Sequence, residues 1–290
     1  MAKKLIRFDW AIKKLLRNKA NFTILEGFLT ELLKFEVTIE SILESESNKE
    51  AAADKYNRAD IVVRSADGEL MLVEVQNDSQ IDYFQRMVYG VSKLITEYIQ
   101  EGERYGTIRK VYSINIVYFE LGQGEDYVYA YDGKFIGIHK GDILQPTLAH
   151  KNVFNVNRIG DIFPKYYVLK VNNFDDVAKN TLDEWIYFLK NSEVKDGFRA
   201  KGLREASEKL MIDSLSDKEQ AVYKRYKENL RLERSLTWTA MLEGEERGIE
   251  KGIQKGIQEG MQKGIEKGMQ EGMQKGMQKG IEKGMQEGIE

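Results

Sequence analysis

The sequence has no cysteine and only two histidines, His139 and His150. Without thiols there is no disulfide, no thiolate zinc site and no cysteine nucleophile, so a bound metal would need oxygen ligands. Neither histidine has an acidic partner or a second histidine nearby, which argues against metal or general-base roles. No apolar run approaches the ~20 residues of a membrane span, and no charged leader with an apolar core opens the chain. The expectation is a cytoplasmic protein with no membrane partner. Walker-type phosphate loops, Gly-x-Ser-x-Gly elbows and strand-fed Gly-x-Gly-x-x-Gly turns are all missing. The net charge of −3 does not advertise nucleic-acid binding, because strong non-specific affinity normally comes from many Lys and Arg neutralising phosphates. A protein that acts on nucleic acid can nevertheless confine positive charge to one groove, so the whole-chain sum discriminates weakly.

What is present is enough material, 290 residues, for a proper apolar core. Apolar residues recur at helical spacing from Phe8 to Phe35, predicting two packed helices, and Val37 to Leu43 alternates as a strand would. Ala59 to Arg64 and Glu69 to Val75 are β-rich runs joined through Ala66-Asp67-Gly68, a hairpin signal. Ile81 to Gln100 is helical in spacing and Val111 to Phe119 β-forming. Further strands are expected at Tyr127 to Tyr131, Phe135 to His139 and Tyr166 to Val171. Helices are expected at Phe174 to Lys190, Phe198 to Met211 and Lys218 to Glu246. The domain boundaries that follow are 1–172 for an α/β domain, 173–246 for a helical region and 247–290 for a tail.

That tail repeats Gly, then Ile or Met, then two residues drawn from Gln, Glu and Lys. Eleven glycines at every fourth position from Gly248 to Gly288 would cost an isolated helix roughly 10 kcal/mol relative to alanine. A four-residue period also outruns the 3.6-residue turn, so the apolar side chains form a slow spiral and not the straight seam of a left-handed coiled coil. A segment that frays or forms a loose helix is favoured over a dedicated partner site, with self-association through the C-terminal helices and tail as the alternative.

Two acidic residues interrupt the hairpin's apolar strands: Asp60 and Glu74. If Gly68 takes the left-handed position of a three-residue loop, Ser65 pairs with Glu69 and Asp60 faces Glu74. A two-residue Asp67-Gly68 turn would pair Asp60 with Val75 and put the carboxylates on opposite faces. Two carboxylates that converge on Mg²⁺ relieve each other's repulsion and supply the hard oxygens that ion prefers. Gln76, two residues on, shares the strand face of Glu74, where its amide could orient a water or a phosphate oxygen. Surface ion pairs of Asp60 with Arg58 or Lys55, and of Glu74 with Arg64, would explain the same spacing equally well. Arg86 and Lys93 stand about two turns apart on the following helix, on a face that could grip backbone phosphate or be ordinary helix surface.

The stretch from Lys55 to Val63, with Gly68-Glu69 and Leu72-Val73-Glu74-Val75-Gln76, resembles the core of the recombination-promoting nucleases, transposase-like proteins of the PD-(D/E)XK type. Phe8-Asp9, Lys13 to Leu16, Leu25 to Leu33, and Phe84, Arg86 and Tyr89 extend the resemblance. It covers about residues 5 to 120 and becomes looser to about 245. The family implies a central mixed β-sheet flanked by helices in a restriction-endonuclease-like core, followed here by the helical C-terminal region and Gly-rich repeat tail. It also implies Mg²⁺- or Mn²⁺-dependent cleavage of DNA phosphodiesters. Asp60 and Glu74 would be the metal ligands, the carbonyl of Val75 a third, and Gln76 would occupy the lysine position. Glu26 is the candidate for an assisting carboxylate on the opening helices, against a plain solvent-facing role. Ala59 stands where the superfamily name has proline and Gln76 where it has lysine. A neutral amide cannot stabilise hydroxide as lysine can, which leaves more of the water activation to the metal. The leading expectation is a DNA endonuclease. The alternative is a catalytically weak or inactive nuclease-fold module that binds nucleic acid or protein, and RNA is a third, weaker substrate possibility.

Overall fold

The computed structural model describes residues 5–43, 58–98 and 104–287. They fall into two compact units, one ending at Lys224 and one beginning at Arg225.

A six-stranded mixed sheet frames the first unit, with strands β1 (Ile39–Leu43), β2 (Arg58–Ser65), β3 (Leu70–Gln76), β4 (Val111–Val117), β5 (Val128–Tyr131) and β6 (Lys165–Lys170) in the order β1-β2-β3-β4-β6-β5. β2 lies antiparallel to both β1 and β3, β4 lies parallel to both β3 and β6, and β5 closes the edge antiparallel to β6. A parallel neighbour requires a long crossover, and α3 (Tyr83–Glu97) provides it between β3 and β4. Every residue of β3 and β4 is buried, as expected of central strands covered on both faces.

Val62, Leu70, Leu72 and Val111 pack under Val91 and Leu94 of α3, and Val117 under Tyr83 and Met87. On the opposite face Ile61, Val63, Met71, Val73, Val75, Ile114 and Ile116 are all buried. The layer on that side contains α1 (Phe8–Lys14), which packs on β2, together with α2 (Phe22–Leu33) and α5 (Thr181–Asn191). Phe8, Phe28, Trp185 and Phe188 from these helices meet with ring centroids 5.5–6.3 Å apart. Tyr118, just past β4, donates its hydroxyl to the Leu189 carbonyl at 2.6 Å, tying sheet to α5. Short α6 (Leu203–Lys209) approaches α2 through two glycines. Gly202 has φ +80°, and a Cβ on Gly27 would stand 2.2 Å from the Lys201 carbonyl oxygen, so neither position has room or backbone freedom for a side chain.

Several expected elements are shorter than their periodicity suggests. The strand expected at Phe135 to His139 is reduced to a single bridge between Ile136 and Ile143, and β6, not this segment, pairs with β5. The helix expected from Phe174 begins at Thr181, where the Asn180 side chain accepts from the Asp183 amide at 3.0 Å; Asp176, at φ +64°, interrupts any earlier start. The helix expected from Phe198 begins only after Gly202. The boundary expected after residue 172 lies inside the first unit, since α5 shares its aromatic cluster with α1 and α2. The boundary expected after 246 lies inside α7 (Asp217–Glu287), a helix that continues through the glycine repeat. Strong helix formers occupy most positions between the glycines, and Lys255–Glu259 and Lys267–Glu271 add i,i+4 pairs.

Candidate active site

The β2–β3 hairpin sets the register on which the site depends. Gly68 adopts φ +80°, a conformation open to glycine without strain. Its amide donates to the Ser65 carbonyl at 2.9 Å, and the Ser65 amide donates to the Glu69 carbonyl at 2.9 Å. The Ser65 hydroxyl accepts the Glu69 amide at 3.1 Å. This three-residue loop pairs Arg64 with Leu70 and, four residues further along the ladder, Asp60 with Glu74. The parallel ladder on the other side pairs Glu74 with Asn115 of β4. Asp60, Glu74 and Asn115 therefore occupy one row across three adjacent strands, on the face that α3 covers.

Glu74 is 3 % exposed. Its Oε2 lies 3.4 Å from the Tyr83 hydroxyl, which also reaches Asn115 Oδ1 at 3.3 Å. Asn115 is held in turn by donating to Ser113 Oγ at 2.9 Å and to the Tyr167 carbonyl at 3.1 Å. Arg86, one turn further along α3, brings Nε to 4.0 Å from Glu74 Oε2 and is fixed by Nη1 donating to Gln80 Oε1 at 2.8 Å. Its Nε and Nη2 are buried and make no hydrogen bond among the described residues, although Nε stays within ion-pair distance of Glu74.

Gln76 is also 3 % exposed. Its Nε2 donates to the Asp78 carbonyl at 3.4 Å, while Oε1 has no hydrogen-bond partner among the described residues. A buried acceptor without a donor costs about 1–3 kcal/mol, so this oxygen calls for a water, a donor or a cation. Asn77, the next residue, is tied to the opposite side of the sheet. Its Nδ2 donates to Asp9 Oδ2 at 3.0 Å, and its Oδ1 accepts from Arg7 Nη2 at 2.9 Å. The Arg7 guanidinium also bonds both Asp9 oxygens and lies 4.8 Å from the Tyr118 ring centroid, so the strand end that carries Glu74 and Gln76 is clamped from behind.

The remaining candidates divide. The Val75 side chain belongs to the apolar face, leaving its carbonyl as that residue's one oxygen. Glu26 is engaged elsewhere: its Oε1 accepts the Ile39 amide at 2.8 Å and anchors the start of β1. Lys93 pairs with Glu97 at 3.8 Å along α3, an arrangement of small energetic value. His150 caps α4 (Leu148–Phe154) together with Thr147. Sequence reasoning missed Tyr83 and Asn115. Asn115 did leave a signal, a carboxamide inside the β-forming run from Val111 to Val117, whereas Tyr83 looks like any helix-face aromatic until the sheet beneath it is known.

A family model described as PD-(D/E)XK nuclease family transposase matches residues 6–237. The chain belongs to this family. No curated protein and no solved structure matches it. For a PD-(D/E)XK nuclease family transposase the mixed sheet and flanking helices are the expected core. The oxygens available to a hard divalent cation are the Glu74 carboxylate and the Val75 carbonyl, with Asp60 at the facing register position, while the buried Gln76 Oε1 is left to accept from a water. Oxygen donors of this kind suit Mg²⁺ or Mn²⁺ and disfavour soft metals. Among the described side chains no three His, Cys, Asp or Glu come together, so a carbonyl oxygen and water would have to complete the set.

Proposed function

We propose that this nuclease-family chain is a Mg²⁺- or Mn²⁺-dependent DNA endonuclease that hydrolyses phosphodiester bonds. The observation that carries the reading is the register placing Asp60 opposite Glu74, two residues from the buried, unpartnered amide oxygen of Gln76. Asp60, Glu74 and the Val75 carbonyl would hold the cation, which when bound supplies charge neutralisation at the phosphate and lowers the pKa of water. Gln76 orients the attacking water, since an amide oxygen accepts a hydrogen bond without taking the proton. Arg86 offers the Nη2 donor that makes no hydrogen bond among the described residues to a non-bridging phosphate oxygen, where a guanidinium forms its strongest hydrogen bonds. The Tyr83 hydroxyl, which lies between Glu74 Oε2 and Asn115 Oδ1, holds the carboxylate in place. Lys93 contributes at most to the general field along α3, and Glu26 holds β1 in position. Plasmid nicking in Mg²⁺ or Mn²⁺ tests the reading: Asp60→Ala and Glu74→Ala abolish it while circular dichroism stays native. Nicking by both variants at the wild-type rate would refute the assignment.

One observation favours a second reading, a nuclease-fold module that binds without cutting. Arg86 already stands 4.0 Å from Glu74 and supplies a countercharge without any metal, and Gln76 lacks the charge of a lysine. Calorimetric titration with Mn²⁺ separates the two. Saturable binding abolished by Glu74→Ala supports the enzyme, and no binding by a folded protein supports the module.

A further inference from the structure

The second unit poses a problem that the nuclease reading does not touch. Along α7, Ile249, Ile253, Ile257, Met261, Ile265, Met269, Met273, Met277, Ile281 and Met285 are 55–81 % exposed. They recur every fourth residue, and at 3.6 residues per turn each step advances about 40° around the helix. The row is a right-handed ridge that circles the helix once in about 36 residues. Beside it runs a second row, the glycines from Gly244 to Gly284, each with open space where a Cβ would stand. A ridge of i±4 side chains next to a groove floored by glycine is one half of a helix–helix contact.

We infer that this ridge docks against the same ridge of a second copy of the chain, the two helices winding around each other with a right-handed twist. Ridges of i±4 spacing interdigitate with one another at roughly −50°. A ridge that curves in the same sense keeps both helices in contact where straight ones would diverge. The partner must therefore carry the same four-residue spacing over the same length, and an identical chain does. Charge agrees: residues 248–287 hold seven lysines and six glutamates, so two copies meet without net repulsion, and Lys and Glu alternate closely enough to pair across. The area agrees as well. Ten Ile or Met side chains at roughly 60–120 Å² each offer about 600–1,200 Å² per copy, against ~800 Å² per partner in a stable complex. A lipid surface fits poorly, because a row that visits every side of the helix leaves no lasting apolar face. Nucleic acid fits poorly because the lysines are matched by glutamates.

Sedimentation equilibrium of the full chain tests this. Wild type associates in the micromolar range, and helical circular dichroism rises with concentration. The full-length variant with Met261, Ile265, Met269 and Met273 all replaced by Gln, a residue of good helix propensity, associates at least about tenfold more weakly and remains folded. A second variant, with Gly260, Gly264, Gly268 and Gly272 replaced by Ala, is more helical as a monomer yet associates more weakly, because each added methyl holds the backbones apart. Wild type that stays monomeric near ~100 µM would overturn the inference. So would a Gln variant that associates like wild type, an Ala variant that associates more tightly, or monomeric wild type that pellets with phosphatidylcholine–phosphatidylserine vesicles.

Discussion

The two faces of β3 are equally buried and chemically opposite. Met71, Val73 and Val75 point one way and are 0–1 % exposed; Leu72, Glu74 and Gln76 point the other and are 3–5 % exposed. Only the pleat separates them. The first face meets aromatic and aliphatic side chains and gains from every atom removed from water. The second buries a carboxylate and an amide, a cost that pure folding would avoid. Tyr83 and Arg86 offset part of that cost for Glu74, and the Gln76 oxygen finds no hydrogen-bond partner among the described residues. The odd-numbered positions of this strand are apolar throughout, whereas its even-numbered ones pass from the core residues Leu70 and Leu72 to the buried polar pair Glu74 and Gln76.

Placing a charge on the wrong face gives the largest effect. Val73→Asp buries a carboxylate without a partner and should cost about 3–5 kcal/mol, measured as a lower urea midpoint; a loss below about 1 kcal/mol would show that this face is not the sealed core described. Glu74→Gln keeps the volume and removes the charge. Cleavage should fall more than ~100-fold with the urea midpoint little changed, because the charge contributes to function and not to packing. Should Glu74→Gln unfold the protein as readily as Val73→Asp, the two faces would be alike in purpose.

This division was partly legible in the residues. A hairpin with Gly68 in the left-handed position leads by counting to Asp60 opposite Glu74, and that is the observed pairing, because loop length and strand period leave little freedom. Long-range neighbours were not legible. That Asn115 lies beside Glu74, and Tyr83 over both, depends on the parallel β3–β4 register and on where α3 sits, neither of which a local pattern encodes. Glu26 illustrates the converse: a helix carboxylate suggested chemistry, and its partner is the Ile39 amide 13 residues away. The glycine tail shows the limit of propensity, since a sum of unfavourable glycine terms does not forbid a helix whose intervening residues favour one.

A smaller effect sharpens the role of α3. Tyr83→Phe removes the hydroxyl between Glu74 and Asn115 and should cost about 1 kcal/mol. Cleavage should fall more than stability does, through a less well-held carboxylate. Unchanged stability and activity together would mean that the hydroxyl is incidental to both.

The smallest effect lies at the margin of the apolar face, where Glu69 precedes β3 by one residue and its Oε1 accepts the Tyr112 hydroxyl at 3.4 Å. Burial raises the Glu69 pKa above the usual carboxylate range; the Tyr112 hydrogen bond and Lys110 pull it down, and Asp67 adds to the rise. Between the unfolded value near ~4.3 and the higher folded one, the native state binds more protons than the unfolded chain. Stability contributed by this group is therefore present below the window and lost as pH rises through it. Glu69→Gln lacks that loss, so wild type should fall relative to the variant by less than about 1 kcal/mol as pH rises through the window, a difference that cancels the titration of other carboxylates. A difference that stays flat with pH would place Glu69 in water; one that runs the other way would mean that Lys110 and Tyr112 outweigh burial, and the apolar face would end before the hairpin does.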